Sequence, residues 1–409
     1  MSNLEDINII EGGICAVDGV KAAGTREGKY GLAIIENINS NAAAVFTKNK
    51  VVAAPVLHTK EMIKGGKVSL IVVNSGNANC FTGRDGIDDC NKIVEFASDL
   101  TDIPSSEIVT ASTGVIGRRM PMDIILPLVE KASTKLEHSI ESSTDAAKSI
   151  MTTDTYHKEF AVEVEIKGKK VTIGGITKGV GMIAPNMGTM LAFIATDVEI
   201  APDKLNIALK EAVNKSFNMI VVDGDTSTND TAILMANGKS GVDVAENGEI
   251  DSKFQQALDF VCINLSKMMA HDGEGASKFI ECKVKGASSQ EDAIKASKSV
   301  ISSSLVKSAI FGGDPNWGRI AAAVGYADVE MDQENISISL TDDEGSVDLV
   351  KEGEILAFEG TENLALAEKL MQNKNVNILI NLYQGDFEAT AWGCDLTYDY
   401  VKINAEYTT

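Results

Sequence analysis

The stretch Lys178-Gly-Val-Gly-Met-Ile-Ala-Pro-Asn-Met-Gly-Thr-Met-Leu191 decides the reading of this chain. Three glycines and a proline keep its backbone irregular up to Thr189, and the apolar run over 190–195 that follows has the length and composition of a buried strand. Upstream, 161–166 and 170–174 read as a strand pair hinged at Gly168. Downstream, Pro202 opens a helix to about Phe217, and Asp251 caps a longer one toward Met269.

Farther toward the amino end, 31–35, 43–46 and 68–73 read as strands and 86–98 as a helix. The apolar spacing over 120–149 predicts two helices with a break near His138 and Ser139. Alternating classes of element predict a layered α/β protein. A composition change at Gly286-Ala-Ser-Ser-Gln predicts a boundary, with 1–285 as the larger unit and 286–409 as an α+β unit. The latter carries a helix from Gln290 to about Ser304 and strands over 335–340, 376–382 and 389–396.

Hydrophobic residues make up 44% of the 409 against 23% charged, with 7 prolines, which argues against a disordered or fibrous chain. A formal charge of -22 argues against a nucleic-acid partner, because phosphate binding needs clustered Lys and Arg. No apolar run is long enough to span a bilayer, and the opening Met-Ser-Asn-Leu-Glu-Asp carries acids where a secretory signal carries bases, so a cytoplasmic protein is expected. Cys15, Cys80, Cys90, Cys262, Cys282 and Cys394 form no Cys-x-x-Cys pair and are predicted to be buried thiols.

Chemistry is concentrated at Thr189. Its hydroxyl can attack the preceding carbonyl, and Gly188 eases the twisted peptide that such an N-to-O acyl shift requires. Cleavage would leave a free α-amine, which titrates near neutral pH and can serve as general base for its own hydroxyl, so none of the four histidines is needed. On spacing alone, a glycine-rich turn before a strand is the simpler reading.

The stretch from Lys178 resembles the signature of the ornithine acetyltransferase family, the bifunctional arginine-biosynthesis proteins. The resemblance extends to Asn74-Ser-Gly-Asn-Ala-Asn, Thr113-Gly-Val-Ile-Gly, Met151-Thr-Thr-Asp-Thr, Asp223-Gly-Asp-Thr-Ser-Thr-Asn-Asp, Asp272-Gly-Glu-Gly-Ala-Ser-Lys, Gly313-Asp-Pro-Asn-Trp-Gly-Arg and Asn404-Ala-Glu-Tyr-Thr-Thr. It implies a layered α-β-β-α sandwich of the self-processing aminopeptidase and ornithine acetyltransferase type, with a smaller C-terminal α+β domain. It also implies cleavage between Gly188 and Thr189 into chains 1–188 and 189–409 that stay together, commonly as α2β2. Acetyl would pass from N-acetylornithine to Thr189 and on to glutamate. Gly188 departs from the alanine usual in the family, and its freedom predicts a precursor less preorganised yet still competent to cleave.

The resemblance assigns the oxyanion hole to Thr113 and Gly114, and substrate binding to Thr152, Lys178, Thr189, Glu274, Asn404 and Thr409. Lys178 would meet a substrate carboxylate, Glu274 a cationic amine, and the last two would close the pocket from the tail. No metal or cofactor is expected: Asp223-Gly-Asp-Thr-Ser-Thr-Asn-Asp lacks the spacing and final glutamate of an EF-hand. Gly312-Gly-Asp-Pro-Asn-Trp-Gly-Arg lacks the lysine of a phosphate loop, opens no clear helix and reads as structural support near the site. Two questions stay open at this level. Acetyl-CoA is an alternative second donor, and a self-cleaving aminopeptidase or amidase on the same fold would use the same nucleophile with water as acceptor.

Overall fold

A computed structural model describes residues 6–183, 190–246, 248–343 and 345–406. Along the first part of the chain come β1 (Ile7–Ile10), β2 (Lys21–Glu27), β3 (Tyr30–Phe46), α1 (Ala54–Met62), β4 (Lys67–Asn77), α2 (Gly83–Thr101), β5 (Ile108–Val115), α3 (Met122–Ser133) and α4 (Ile140–Ser149). Then follow β6 (Lys158–Ile166), β7 (Lys169–Lys178), β8 (Leu191–Thr196), α5 (Pro202–Lys215), β9 (Ile220–Val221), β10 (Thr231–Ala236) and α6 (Ser252–His271). The remainder comprises β11 (Phe279–Ala287), α7 (Gln290–Ser302), α8 (Ser304–Gly312), α9 (Trp317–Gly325), β12 (Ser337–Thr341), β13 (Ser346–Lys351), β14 (Glu354–Ile355), α10 (Glu362–Leu370), β15 (Asn375–Asn381), β16 (Phe387–Cys394) and α11 (Tyr398–Glu406).

Among the described residues the first sheet runs β1-β6-β7-β8-β10-β3-β4-β5, with β2 on the outer flank of β3. The sequence reads β3 as two short strands. In the fold it is one, and a register shift between Glu36 and Ser40 lets its first half pair with β2 and β4 and its second half with β10. The sheet therefore doubles over on itself. Alternation along each strand then separates three cores. Between the two halves lie Ile35, Ile71, Val73, Val109, Phe193, Leu191 and Ile233. Outside one half, Ile34, Leu70, Val72 and Ile108 pack on α2 and α3; outside the other, Ile173, Ala192, Ile194 and Leu234 pack against α5 and α6. This is the α-β-β-α layering.

Local chemistry explains the main elements. The β6–β7 hairpin turns on Lys167 (φ 53) and Gly168 (φ 74), both left-handed as a two-residue turn of matching twist requires. Asp251 caps α6 by accepting from the Lys253 and Phe254 amides at 2.9 and 3.2 Å, and Pro202 occupies the first turn of α5.

The second sheet, β14-β13-β12-β15-β11-β16-β9, is covered on one side by α7 and its neighbours. The boundary expected at 285/286 is corrected: β11 runs straight through it, and β9 contributes residues from before it. Gly286 (φ 70) ends the strand close against Asn381 and Tyr383 rather than opening a linker. Residues 313–316 join α8 to α9, with Asn316 capping α9 through the Arg319 amide at 3.1 Å; that motif does open a helix, and none of it lines the cavity described below. The six cysteines are buried and unpaired. No described helix is long and apolar enough to cross a membrane.

Candidate active site

The ends of β5 and β7 and the starts of β8 and β10 meet at one rim of the sandwich, around a cavity of about 180 Å³. Thr113 and Gly114 end β5 there. Gly114 has φ 133, and a Cβ on it would lie 2.4 Å from the Gly76 carbonyl carbon and 2.5 Å from the Asn77 nitrogen, so only glycine fits. Asn229 braces the neighbouring backbone by donating to the carbonyls of Ala78 (2.7 Å) and Ser112 (2.8 Å).

Lys178, the last residue of β7, is 2% exposed. Its ammonium donates to the Thr152 hydroxyl at 2.8 Å and reaches the Thr113 hydroxyl at 3.5 Å. Since that hydroxyl accepts from the lysine, its own hydrogen is left to donate toward the cavity. Asp154 lies 3.7 Å from the same ammonium through Oδ2, which accepts from the Thr152 amide at 3.1 Å. Its Oδ1 accepts from Lys158 at 2.8 Å and from the Gly179 amide at 2.9 Å. Lys158, fully buried, also donates to Asp272 at 2.6 Å. Asp272 in turn accepts from the amide and hydroxyl of Thr155.

Such charges are tolerated inside a protein only as a compensated set, because each alone would cost several kcal/mol to desolvate. Burial by itself would raise the Asp154 carboxyl, but Lys178 and Lys158 hold it at about 2. Lys178 is not shifted in mirror image. Its desolvation outweighs the pull of Asp154, and Lys158 adds repulsion, so it falls below the ordinary lysine range.

On the same cavity Glu274 is half-buried. Its Oε1 accepts from the Thr153 hydroxyl at 2.6 Å and its Oε2 from the Asn404 amide nitrogen at 3.0 Å. Asn404 belongs to α11, so the tail does reach the cavity.

The profile of the ArgJ family matches residues 17–409. The chain belongs to the ArgJ family. It is 54% identical to the glutamate N-acetyltransferase of Methanothermobacter thermautotrophicus, covering 99% of both chains, and 51% identical to that of Methanocaldococcus jannaschii, covering 98% of this chain and 100% of the other. Among solved structures, the arginine biosynthesis bifunctional protein argJ of Bacillus halodurans is 41% identical, with a TM-score of 0.49, covering 54% of this chain and 100% of that one.

In this ArgJ-family chain, Thr113, Gly114, Thr152, Lys178, Glu274 and Asn404 come together on one cavity. Gly188, Thr189 and Thr409 lie outside the described residues. Sequence reasoning missed Thr153, Asp154, Lys158 and Asn229; three of the four stand inside motifs it quoted, and Lys158 follows one closely. It also left Asp223-Gly-Asp-Thr-Ser-Thr-Asn-Asp without a role. Asp223 accepts from the amides of Met182 (2.6 Å) and Ile183 (2.9 Å), and Asp230 from that of Met190 (3.1 Å). The motif thus holds the chain on both sides of 184–189. Burial pushes Asp230 well above the usual carboxylate range, against the pull of the Met190 amide. Its Oδ2 has no hydrogen-bond partner among the described residues; the Ser227 and Thr47 hydroxyls ease its charge from nearby without hydrogen-bond geometry.

Proposed function

We propose that this ArgJ-family chain cleaves itself before Thr189 and then carries acetyl from N-acetylornithine to glutamate on the Thr189 hydroxyl. One observation carries the reading: a single cavity presents a hydroxyl and a backbone turn suited to an oxyanion, a buried ammonium, and a half-exposed carboxylate. These are the groups that transfer between amino acids needs.

In the first half-reaction the Thr189 oxygen attacks the acetyl carbonyl while its α-amine takes the hydroxyl proton. Negative charge on the carbonyl oxygen faces Thr113 and Gly114, already fixed in place by pairing with Gly76 and Asn77 of β4 and by the Asn229 bond to Ser112, so that no reorganisation is needed. The carbon–nitrogen bond breaks, ornithine leaves with the proton, and an acetyl ester remains. Glutamate's amine then attacks the ester and regenerates the hydroxyl. Lys178 suits the carboxylate that both amino acids share, and Glu274 suits the side-chain ammonium of ornithine. In this reading no metal or organic cofactor takes part, acetyl-CoA is a second donor to be tested, and the cleaved chains work as a cytoplasmic α2β2 assembly.

Intact masses of wild type and Thr189→Ala, recorded after denaturation, test the nucleophile. Wild type should separate into 1–188 and 189–409 and the variant should stay whole. A wild type that stays whole sinks the self-cleavage. Incubation of the cleaved enzyme with N-acetylornithine, with and without glutamate, tests the acceptor: N-acetylglutamate should form in step with ornithine. Ornithine and acetate formed at the same rate without glutamate would favour the amidase instead.

A further inference from the structure

We propose that Asp154 is a positioning residue for the transfer, holding the Lys178 ammonium against Thr113 and Thr152 where a substrate carboxylate arrives. The inference rests on the proposed acetyl transfer and names a residue that the transfer reading leaves unassigned. The geometry is specific. One carboxylate ties the segment that carries the cation to the segment that carries its nearer partner, because it accepts from the Gly179 amide, the Thr152 amide and Lys158 while facing Lys178.

Lys178 is 2% exposed on the wall of the cavity, so bulk solvent does little to stabilise its charge. The charged groups facing it are Asp154 from the turn before β6, Lys158 from β6 itself, Glu274 from the loop after α6, and Asp230 from the start of β10. Glu274 is committed to Thr153 and Asn404. Burial pushes Asp230 toward its neutral form, against the pull of Lys178. Asp154 is therefore the anion that keeps the lysine protonated beside a second buried cation. Lys158 has a distinct part: shared between Asp154 and Asp272, it locks the Asp154 carboxylate in place. Without Asp154, Lys178 would face Lys158 with only the half-exposed Glu274 left as an opposing charge and would lose its proton more readily.

The test compares wild type, Asp154→Asn and Asp154→Glu in the cleaved enzyme, measuring kcat and KM for glutamate across pH. Asp154→Asn keeps the shape of the side chain and removes its charge from beside Lys178. The alkaline limb of kcat/KM should then move down by about one pH unit or more, with the glutamate KM above pH 8 raised about tenfold and kcat changed far less. Asp154→Glu keeps the charge but displaces it by one methylene; its limb should stay near wild type while KM rises severalfold. A folded Asp154→Asn with the wild-type limb and KM would overturn the proposal. If Asp154→Asn does not accumulate as folded protein, Asp154→Glu decides: raised KM supports the positioning role, and wild-type KM overturns it. Loss of folded protein in both would make the residue structural only, which also overturns it. Absence of transfer in wild type would count against the proposed function and not against this role.

Discussion

The two ends of the cavity handle charge in opposite ways. Lys178 is buried apart from its face on the cavity and belongs to a chain of buried ion pairs running through Asp154, Lys158 and Asp272. Glu274 stands half in solvent and is held by two neutral side chains, Thr153 from one layer and Asn404 from an exposed helix. The contrast matches what each end would meet. A carboxylate common to donor and acceptor can be bound by a fixed cation, whereas the side chain changes from cationic to anionic between the two half-reactions. A solvated carboxylate whose partners can let go suits that second task, because water screens its repulsion for the anionic substrate.

Neutralising the buried end should have the largest effect. Lys178→Met keeps the stem and removes a charge-assisted hydrogen bond from a dry site, worth about 1.5–3 kcal/mol, so kcat/KM for both substrates should fall by about a hundredfold. Initial rates with each substrate varied in turn would show it. A loss restricted to one substrate would break the idea that this end serves the shared carboxylate.

Glu274→Gln should cost less and should separate the substrates. The KM for N-acetylornithine is expected to rise about tenfold through loss of one charged contact, while the KM for glutamate stays level or drops. Equal increases for both would mean that Glu274 shapes the cavity rather than sorting side chains.

The unequal legibility of the two ends has a physical cause. Thr113, Gly114, Lys178 and Glu274 sit among glycines in motifs that stand out, and local signals such as Gly168, Pro202 and the Asp251 cap gave correct turns and starts. Asp154 and Lys158 stand in a short hydrophilic stretch that reads as surface. They are buried because each completes the other's charge, which no single residue reveals. β3 hid for a related reason: Asn37, Asn39 and Ser40 look like a turn, yet Asn39 (φ 59) and its neighbours form the irregularity that passes one strand between two layers. Gly286 looked like a linker because its role depends on Asn381 and Tyr383, which are distant in sequence.

The smallest effect is expected at Asn404, and it probes whether the exposed end is adjustable. Helix α11 buries none of its residues, yet it is tied at its base, where the Thr397 hydroxyl donates to the Gly275 carbonyl at 2.6 Å and the Tyr400 hydroxyl reaches Asp223 at 3.3 Å. Asn404→Ala should therefore leave the helix docked and remove the contact to Glu274 together with an exposed bond to the Tyr400 carbonyl within the helix, the former worth roughly 0.5–1 kcal/mol, so that the KM for N-acetylornithine rises about two- to fivefold. Because Glu274 keeps its bond to Thr153, kcat should change little. A loss as large as that of Lys178→Met would mean that the tail orders the whole site and that the two ends are not independent. Combining Asn404→Ala with Lys178→Met measures that coupling directly: multiplicative losses would keep the ends separate, and a double variant no worse than Lys178→Met alone would join them.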